Sequence, residues 1–252
     1  GAEYERRKIP YEDVFPMLYL KYRLEGGNHS HKNIKHLVID EMQDYSRLQY
    51  LIIRRMFSCK MTILGDRAQT MADQQQDVLQ FLPGIFGKDL RRIEMRKSYR
   101  NTVEIASYAA NLIGVTDLEL FERHGMPVLE RDVTDLEAAL REAVDTLFPD
   151  EKTYETAAMI VPDEKTAERA YLILREILAE KDFDCEKRLS WLNRDSSSFK
   201  KGLTVTTFYL AKGLEFDQVF SIFPKDEKRE MMMQAQYIAA TRALHELKVY
   251  HI

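Results

Sequence analysis

Two adjacent carboxylates, Asp40 and Glu41, follow a short run of β-branched and aliphatic residues that begins at His36. A run of this kind with polar residues at its end is typical of a buried parallel strand that delivers side chains to the C-terminal edge of a sheet. Carboxylates at such an edge suit a nucleotide site, because one can hold Mg²⁺, directly or through water, while the next deprotonates an attacking water. Taken alone, the cluster is more often the start of a helix than a metal site.

A second cluster runs from Gly65 to Gln69 and follows another short apolar run, Met61 to Leu64. The side-chain amide of Gln69 is of a type that can sense a phosphate from the end of a strand. Glycine followed by aspartate is also ordinary turn chemistry, so this cluster by itself is a weak signal.

A third cluster, Ser98, Tyr99 and Arg100, ends a basic segment. From Lys88 to Arg100 the chain has six cations and two anions. Arginine can form two hydrogen bonds to one phosphate, and a neighbouring aromatic ring can stack on a base. A solvated surface is an equally good interpretation of the charge run. The net charge of −4 argues against a protein that coats nucleic acid non-specifically.

Two further clusters lie nearer the C-terminus. Residues 211–217 include Gly213 and Glu215 and separate two predicted strands, and residues 237–243 hold Arg242 on a predicted helix. A single arginine on a helix is usually a surface residue. These clusters therefore gain meaning from their order along the chain rather than one by one.

Hydrophobic periodicity predicts strands and helices in alternation. Two capping boxes, Ser46 with Gln49 and Thr134 with Glu137, predict helix starts. Alternation of this kind predicts a three-layer α/β fold with a mainly parallel sheet. The predicted strands are 36–40, 61–64, 156–161, 203–208 and 218–223, and one further helix is predicted over 163–179.

Length and composition limit the class of protein. The 252 residues suffice for one large domain or two ordinary ones, and a junction is predicted between Gln80 and Arg92, where Pro83 and two glycines interrupt helical periodicity. No apolar run approaches the roughly 20 residues of a membrane-spanning helix. The two cysteines, Cys59 and Cys185, are far apart, so a reducing, cytoplasmic compartment is predicted and a thiolate zinc site is not.

Taken in order, the five clusters resemble motifs II to VI of superfamily 1 helicases of the UvrD/Rep type. The resemblance extends from about Tyr11 to the end of the chain, and it implies a RecA-like P-loop NTPase architecture. The resemblance is strongest to the HelD branch, whose members bind RNA polymerase. It rests on the amino-acid sequences of residues 40–46, 97–101, 209–217 and 241–247.

The resemblance implies roles in ATP hydrolysis for three residues near the N-terminal end of the chain. Asp40 would coordinate Mg²⁺ through water, and Glu41 would act as the catalytic base. Gln69 would couple the γ-phosphate of ATP to a conformational change.

The resemblance implies nucleotide contacts for five residues farther along the chain. Tyr99 would stack on adenine, and Glu215 would bond the ribose. Gly213 belongs to the same implied nucleotide-binding set. Arg100 and Arg242 would reach the γ-phosphate, and Arg242 would act as an arginine finger.

One expected motif is missing from the sequence. A phosphate-binding loop requires G-x-x-x-x-G-K-[ST], because backbone N–H groups and the lysine surround the phosphates. Of the ten glycines only Gly87 precedes a lysine, and Asp89 then occupies the Ser/Thr position. We interpret this as truncation upstream of Gly1. Residues 1–85 would then be the C-terminal part of a first RecA-like domain, and residues 86–252 a second one.

Two departures concern nucleic acid. Ala72 stands where UvrD-type motif III has an aromatic residue that stacks on single-stranded DNA, and Tyr209 and Leu210 replace the usual polar residues of motif V. Both favour the HelD-like interpretation. The sequence therefore predicts part of an ATP-dependent motor that acts on DNA or on DNA-bound RNA polymerase and is completed by its own upstream chain, with the isolated piece inactive. The alternative is a non-enzymatic module that binds RNA polymerase.

Overall fold

The computed structural model describes residues 9–26, 31, 33–66, 69, 77–95, 97–115, 119–148, 154–181, 183–196, 201–225 and 230–252. The chain divides into two compact units, Gly1–Glu94 and Met95–Ile252. This division lies C-terminal to the predicted 85/86 boundary, and the assignment of the units to two RecA-like domains stays a prediction. Among the described residues, no helix combines the length and apolar character that a membrane crossing would require.

The first unit alternates helices with two short strands. Strands β1 and β2 are parallel, and Ile39 at the end of β1 is in register with Ile63 at the end of β2. The elements are helix α1 (Tyr11–Leu24), strand β1 (His36–Ile39), a 3-10 turn (Met42–Asp44), helix α2 (Arg47–Met56), strand β2 (Lys60–Ile63) and helix α3 (Val78–Phe86).

Helix α2 fixes the turn that follows β1. Its N-terminus is closed by the predicted capping box, in which the Ser46 hydroxyl accepts from the Gln49 backbone N–H and the Gln49 side chain accepts from Ser46 N. Tyr50, one turn into the helix, is fully buried against Ile39 and the apolar face of α3. Its hydroxyl donates to the carbonyl of Met42 at 3.1 Å, so the helix is tied directly to the 3-10 turn.

Helix α3 continues through Pro83, where the sequence predicted a break. The proline removes one backbone hydrogen bond, but the buried face formed by Val78, Phe81 and Leu82 outweighs that loss. Asp77 caps the first turn by accepting from Leu79 N at 3.1 Å. The helix ends at Gly87, whose φ of 72° is in the left-handed region that glycine favours.

The second unit contains a six-stranded sheet in which every strand pair is parallel. The elements of this unit are β3 (Lys97–Ser98), α4 (Val103–Leu112), β4 (Glu119–Leu120), β5 (Leu129–Asp132), α5 (Leu136–Asp145), β6 (Thr156–Val161), α6 (Glu164–Ala179), α7 (Cys185–Arg188), β7 (Leu189–Trp191), β8 (Gly202–Thr207), β9 (Phe216–Phe223), α8 (Glu230–Thr241) and β10 (Ala243–His251). The strand order of the sheet is β5-β10-β9-β6-β8-β7, and β3 and β4 form a separate parallel pair.

Helices cover both faces of this sheet. On one face Phe220 of β9 packs with Leu140 of α5 and Leu174 of α6, and on the other Val219 packs with Ile105 of α4 and the buried side of α8. Adjacent residues of one strand therefore contribute to opposite cores, as expected for a buried parallel sheet. The predicted three-layer α/β fold with a mainly parallel sheet is confirmed.

One predicted helix cap is displaced by a residue. Helix α5 is capped by Asp135, which accepts from Ala138 N at 2.9 Å, rather than by Thr134. Aspartate is the stronger capping residue, and the Thr134 hydroxyl instead donates to the Asp135 carboxylate at 3.5 Å.

Candidate functional site

Asp40 and Glu41 emerge directly from the end of β1. Asp40 is exposed, and one of its carboxylate oxygens accepts from Glu41 N at 2.8 Å. Glu41 has a left-handed backbone, with φ 52° and ψ 51°, which costs roughly 1–2 kcal/mol for a residue with a Cβ. The cost is offset by the strand ends on either side, because Leu64 N donates to Ile39 O and Met42 N donates to Leu64 O, both at 2.8 Å.

Gln43 is the buried centre of this turn, and the sequence analysis did not select it. Its side chain is 1% exposed. Its amide Nε2 donates to a carboxylate oxygen of Glu41 at 2.5 Å, and its Oε1 accepts from Asp66 N at 3.1 Å. An amide between two carboxylates in the sequence was the available signal, since such a side chain can join an acceptor to a donor.

Gln69 lies beside the same turn. Its backbone N–H donates to Asp66 O at 3.1 Å, its side-chain amide donates to the Asp66 carboxylate at 2.9 Å, and the residue is 8% exposed. The structure therefore brings Glu41 and Gln69 together through Gln43 and Asp66. Ala72 lies outside the described residues.

The donor set near Asp40 fits a magnesium ion held mainly by water and phosphate. No cluster of three or more His, Cys, Asp or Glu side chains suited to a metal is found among the described residues. Mg²⁺ commonly binds through one or two carboxylates, keeps several waters and takes the rest of its ligands from phosphate. An exposed Asp40 beside a second carboxylate, that of Glu41, suits that mode, whereas the described part of the chain holds no all-protein cage.

Tyr99 forms an aromatic surface in the second unit. Its ring is 61% exposed and lies 5.5 Å from the ring of Phe121, with Lys97 Nζ 5.5 Å from the Tyr99 centroid. The pairing of Ser98 with Leu120 in the β3–β4 ladder sets the two rings side by side. An exposed ring of this kind can stack on a base, as predicted for Tyr99, and Phe121 is a residue that the sequence analysis missed.

Arg100 and Glu215 form an ion pair. The distance from Arg100 Nε to a Glu215 carboxylate oxygen is 2.7 Å, and both side chains are largely solvated. Gly213 precedes this carboxylate and has a φ of 82°, which places the chain reversal in the left-handed region. The structure thus joins the arginine predicted for phosphate to the carboxylate predicted for ribose.

Arg242 is buried, against the usual expectation for a single arginine near a helix. It follows the last residue of α8 and is only 2% exposed. Its guanidinium donates to Ile238 O at 3.2 Å, Leu214 O at 3.3 Å and the Thr241 hydroxyl at 3.1 Å. The residue therefore connects the end of α8 with the segment that precedes Glu215.

Two polar residues that the sequence analysis missed connect these segments further. The Asn101 amide donates to Thr241 O at 3.3 Å and to Ala243 O at 2.6 Å, the carbonyls on either side of Arg242. Arg123 Nη2 donates to Arg100 O and, at 2.9 Å, to Leu244 O. The three predicted clusters of the second unit thus share one hydrogen-bond network.

Glu104 holds the loop that contains Arg123. Its carboxylate pairs with His124 Nδ1 at 2.9 Å and accepts from Gly125 N at 2.8 Å. The His124 hydrogen bond, together with that from Gly125 N, lowers the pKa of Glu104 from 4.5 to about 2. The charged carboxylate is therefore the form that stabilises this loop.

Replacing Glu104 with Gln should lower stability near neutral pH and have less effect in acid. Because the folded pKa lies below the unfolded one, the contribution is complete above about 4.5 and is lost as the pH falls toward 2. Melting curves of wild type and Glu104→Gln between pH 7 and pH 3 measure this difference. Glu122→Gln, which changes an exposed carboxylate of the same loop, is the matched control, and a difference independent of pH would contradict the prediction.

Comparison with known proteins finds a family similarity for part of the first unit. Residues 14–71 match the UvrD/REP helicase N-terminal domain. This range contains Asp40, Glu41, Gln43, Asp66 and Gln69, the residues that the structure joins in the first unit. The match supports a relation to UvrD-like superfamily 1 helicases, as the sequence predicted, while the HelD branch stays a prediction.

Several solved structures are also similar to the chain. The C-terminal domain of a possible DNA helicase from Lactobacillus plantarum WCFS1 has 24% identity and a TM-score of 0.47 over 62% of this chain and 88% of its own. The PRRSV helicase has 17% identity and a TM-score of 0.47, and arterivirus nonstructural protein 10, a helicase, has 13% and 0.39. The two viral matches include 90% and 84% of the residues of this chain, respectively. They include only 36% and 38% of the residues of the viral proteins. No curated protein matches it.

Proposed function

We propose that this chain is part of an ATP-dependent superfamily 1 helicase or translocase. The observation that supports this most strongly is the linked arrangement of Asp40, Glu41 and Gln69 within the segment that matches the UvrD/REP helicase N-terminal domain. ATP and Mg²⁺ are the proposed cofactors, and DNA is the proposed partner. Cys59 and Cys185 are unpaired thiols, which fits the cytoplasmic compartment that we also propose.

In the first unit, two carboxylates would divide the chemistry between them. Asp40 would hold Mg²⁺ through water, and the bound ion would neutralise charge on the phosphates. Glu41 would accept a proton from the attacking water. The backbone at Glu41 is left-handed, and its N–H donates to the Asp40 carboxylate. Gln69 would sense the phosphate through its amide.

In the second unit, the nucleotide would compete with contacts that already exist. Tyr99 would stack on adenine, while Gly213 and Glu215 would contact the rest of the nucleoside. Arg100 would leave its ion pair with Glu215 and bind phosphate. An exposed ion pair contributes about 0–1 kcal/mol, so opening it costs little. Arg242 would have to exchange carbonyl partners for phosphate oxygens to act as an arginine finger.

We propose further that the parent protein belongs to the HelD branch and uses ATP to remodel DNA-bound RNA polymerase. This proposal is supported by the amino-acid sequences of the clusters, in particular residues 40–46 and 241–247. Tyr209 and Leu210, in place of polar residues, also favour this branch over a DNA translocase. A non-enzymatic polymerase-binding module is the alternative that measured ATPase activity would exclude.

ATPase measurements on Glu41→Gln test the proposed function. In a protein that combines this chain with a phosphate-binding loop, loss of the base should reduce nucleic-acid-stimulated hydrolysis by about 10²–10⁴-fold. Asp44→Asn removes a carboxylate from the same 3-10 turn and is the matched control. Undiminished ATPase in Glu41→Gln would refute the assignment of the base.

The 252 residues alone should hydrolyse no appreciable ATP, because their sequence holds no phosphate-binding loop, and robust activity would contradict this expectation.

A further inference from the structure

The side chain of Gln43 is a buried connector between two chain segments. It lies in the 3-10 turn after β1, yet its Oε1 accepts from Asp66 N, beyond the end of β2. Its Nε2 donates to the Glu41 carboxylate at 2.5 Å. Buried amides are retained when both ends are paired, because an unpaired end costs the full desolvation penalty.

The orientation of this amide is fixed by its partners. A backbone N–H can only donate and a carboxylate can only accept, so Oε1 must face Asp66 and Nε2 must face Glu41. Rotating the amide by half a turn would oppose two donors at one end and two acceptors at the other. Gln43 therefore holds Glu41 and Asp66 in one defined arrangement.

The connection extends to Gln69. Asp66 accepts from Gln69 twice, through its carbonyl at 3.1 Å and its carboxylate at 2.9 Å. Glu41, Gln43, Asp66 and Gln69 thus form one continuous chain of hydrogen bonds. A displacement of Gln69 can therefore be transmitted to the Glu41 carboxylate through these hydrogen bonds.

Packing leaves little room for this path to rearrange. A Cβ built on Gly65 would lie 2.4 Å from Gln43 Oε1 and 2.6 Å from Met42 N, so the backbone beside Asp66 already contacts the connector. On the other side, Glu41 is held in a left-handed conformation. Gln43 is therefore closely packed between the turn that holds Glu41 and the segment that holds Asp66.

We propose that Gln43 is a positioning residue that couples Glu41 to Asp66 and Gln69. It would act through the Glu41 carboxylate, to which it donates, rather than on the substrate. It would align the base when Gln69 engages a phosphate, and it would withdraw the base when Gln69 moves away. Because Glu41 is the base only if the chain is part of an ATPase, this role rests on the proposed function.

Hydrogen exchange of the Asp66 amide, measured by NMR on the 252-residue chain, tests the coupling without ATP. Gln43→Leu removes the acceptor and should speed exchange of this amide about tenfold. Glu41→Ala should also speed it, because Gln43 loses its anchor. In the double variant the Glu41 substitution should have no further effect. Two results would overturn the proposal. One is additive effects of the two substitutions, and the other is an exchange rate of the Asp66 amide that Glu41→Ala leaves unchanged.

The amides of Met42 and Leu64 are internal controls, since both donate to backbone carbonyls. Their exchange should not change in either single variant. If Gln43→Leu speeds them as well, the unit has loosened, and Gln43→Glu decides instead. That variant keeps an acceptor for Asp66 and presents a carboxylate to Glu41, so the Asp66 amide should stay protected and should no longer respond to Glu41→Ala. A response equal to that of wild type would refute the coupling.

The kinetic test separates positioning from a purely structural contact. In a protein that also holds a phosphate-binding loop, Gln43→Glu should lower kcat at least tenfold and leave KM for ATP unchanged. An unchanged kcat in Gln43→Glu would overturn the positioning role. If that protein has no ATPase activity at all, the proposed function fails, while the exchange measurements still decide whether Gln43 couples the two segments.

Discussion

Replacing Arg242 with Met should destabilise the second unit by about 2–5 kcal/mol and abolish any ATP turnover to which the chain contributes. The substitution removes a buried guanidinium that donates to Ile238 O, Leu214 O and the Thr241 hydroxyl, and it leaves two carbonyls without these donors. Methionine is apolar and similar in length, so little volume is lost. The kinetic expectation follows from the proposed role of Arg242 as an arginine finger, a group that contributes about 10³–10⁵-fold in rate.

Urea unfolding followed by tryptophan fluorescence measures the stability effect. Trp191 is the single tryptophan of the chain and lies on β7, within the second unit. Arg141→Met is the matched control, because Arg141 is an exposed arginine of the same unit that pairs with Glu137 on the surface. The control should cost no more than about 1 kcal/mol. Equal unfolding midpoints for the two variants would show that Arg242 does not hold the structure in this way.

Replacing Gly65 with Ala should lower the melting temperature of the first unit by roughly 5–20 °C. A methyl group at this position would lie 2.4 Å from Gln43 Oε1, 2.5 Å from Met42 Cγ and 2.6 Å from Met42 N. The last contact is with backbone, so a side-chain rotation cannot relieve it. Either β2 or the 3-10 turn Met42–Asp44 must move, and the hydrogen bond from Asp66 N to Gln43 should be lost with that movement.

Differential scanning calorimetry of the chain measures this change. Gly84→Ala is the control, because a Cβ at Gly84 meets nothing within 4 Å and the residue lies inside helix α3. That control should be neutral or stabilise the unit by about 0.5–1 kcal/mol. Equal melting of both glycine variants would contradict the close packing at Gly65.

Elements with a simple hydrophobic pattern were predictable from the sequence. Strand β6 spans the predicted residues, since all but its first residue are fully buried and the run needs no polar interruption. The strands predicted at 203–208 and 218–223 correspond to β8 and β9 with shifted ends. The capping box at Ser46 was equally predictable, because both of its hydrogen bonds are local.

Strand β10 was missed because its polar residues are buried in pairs. Glu246 and Lys248 interrupt the apolar run, but they lie on one face of the strand and form an ion pair at 2.8 Å. The Gln218 amide on the neighbouring strand donates to the same glutamate at 3.1 Å. A pattern read one strand at a time cannot show that Glu246 will also accept from an amide on the neighbouring strand.

The candidate site was predictable in its chemistry and less so in its geometry. The residue types and order indicated Asp40, Glu41 and Gln69, but nothing local predicts that Gln43 would connect them across 23 positions of sequence. Burial of Arg242 was also hidden, because its acceptors are backbone carbonyls, which every residue has. Long-range polar contacts of this kind depend on the finished packing of the strands.

The left-handed backbone at Glu41 also determines how this position tolerates variation. At a φ of 52°, glycine is the least strained residue and aspartate and asparagine follow, whereas valine and isoleucine are the most strained. For the proton transfer proposed for Glu41, glycine, valine and isoleucine are all unsuitable, because none of them supplies a carboxylate. Under that proposal, fold stability and catalysis would favour different residues at this position. At Asp40 φ is not positive, so the backbone there does not favour glycine over a residue with a carboxylate.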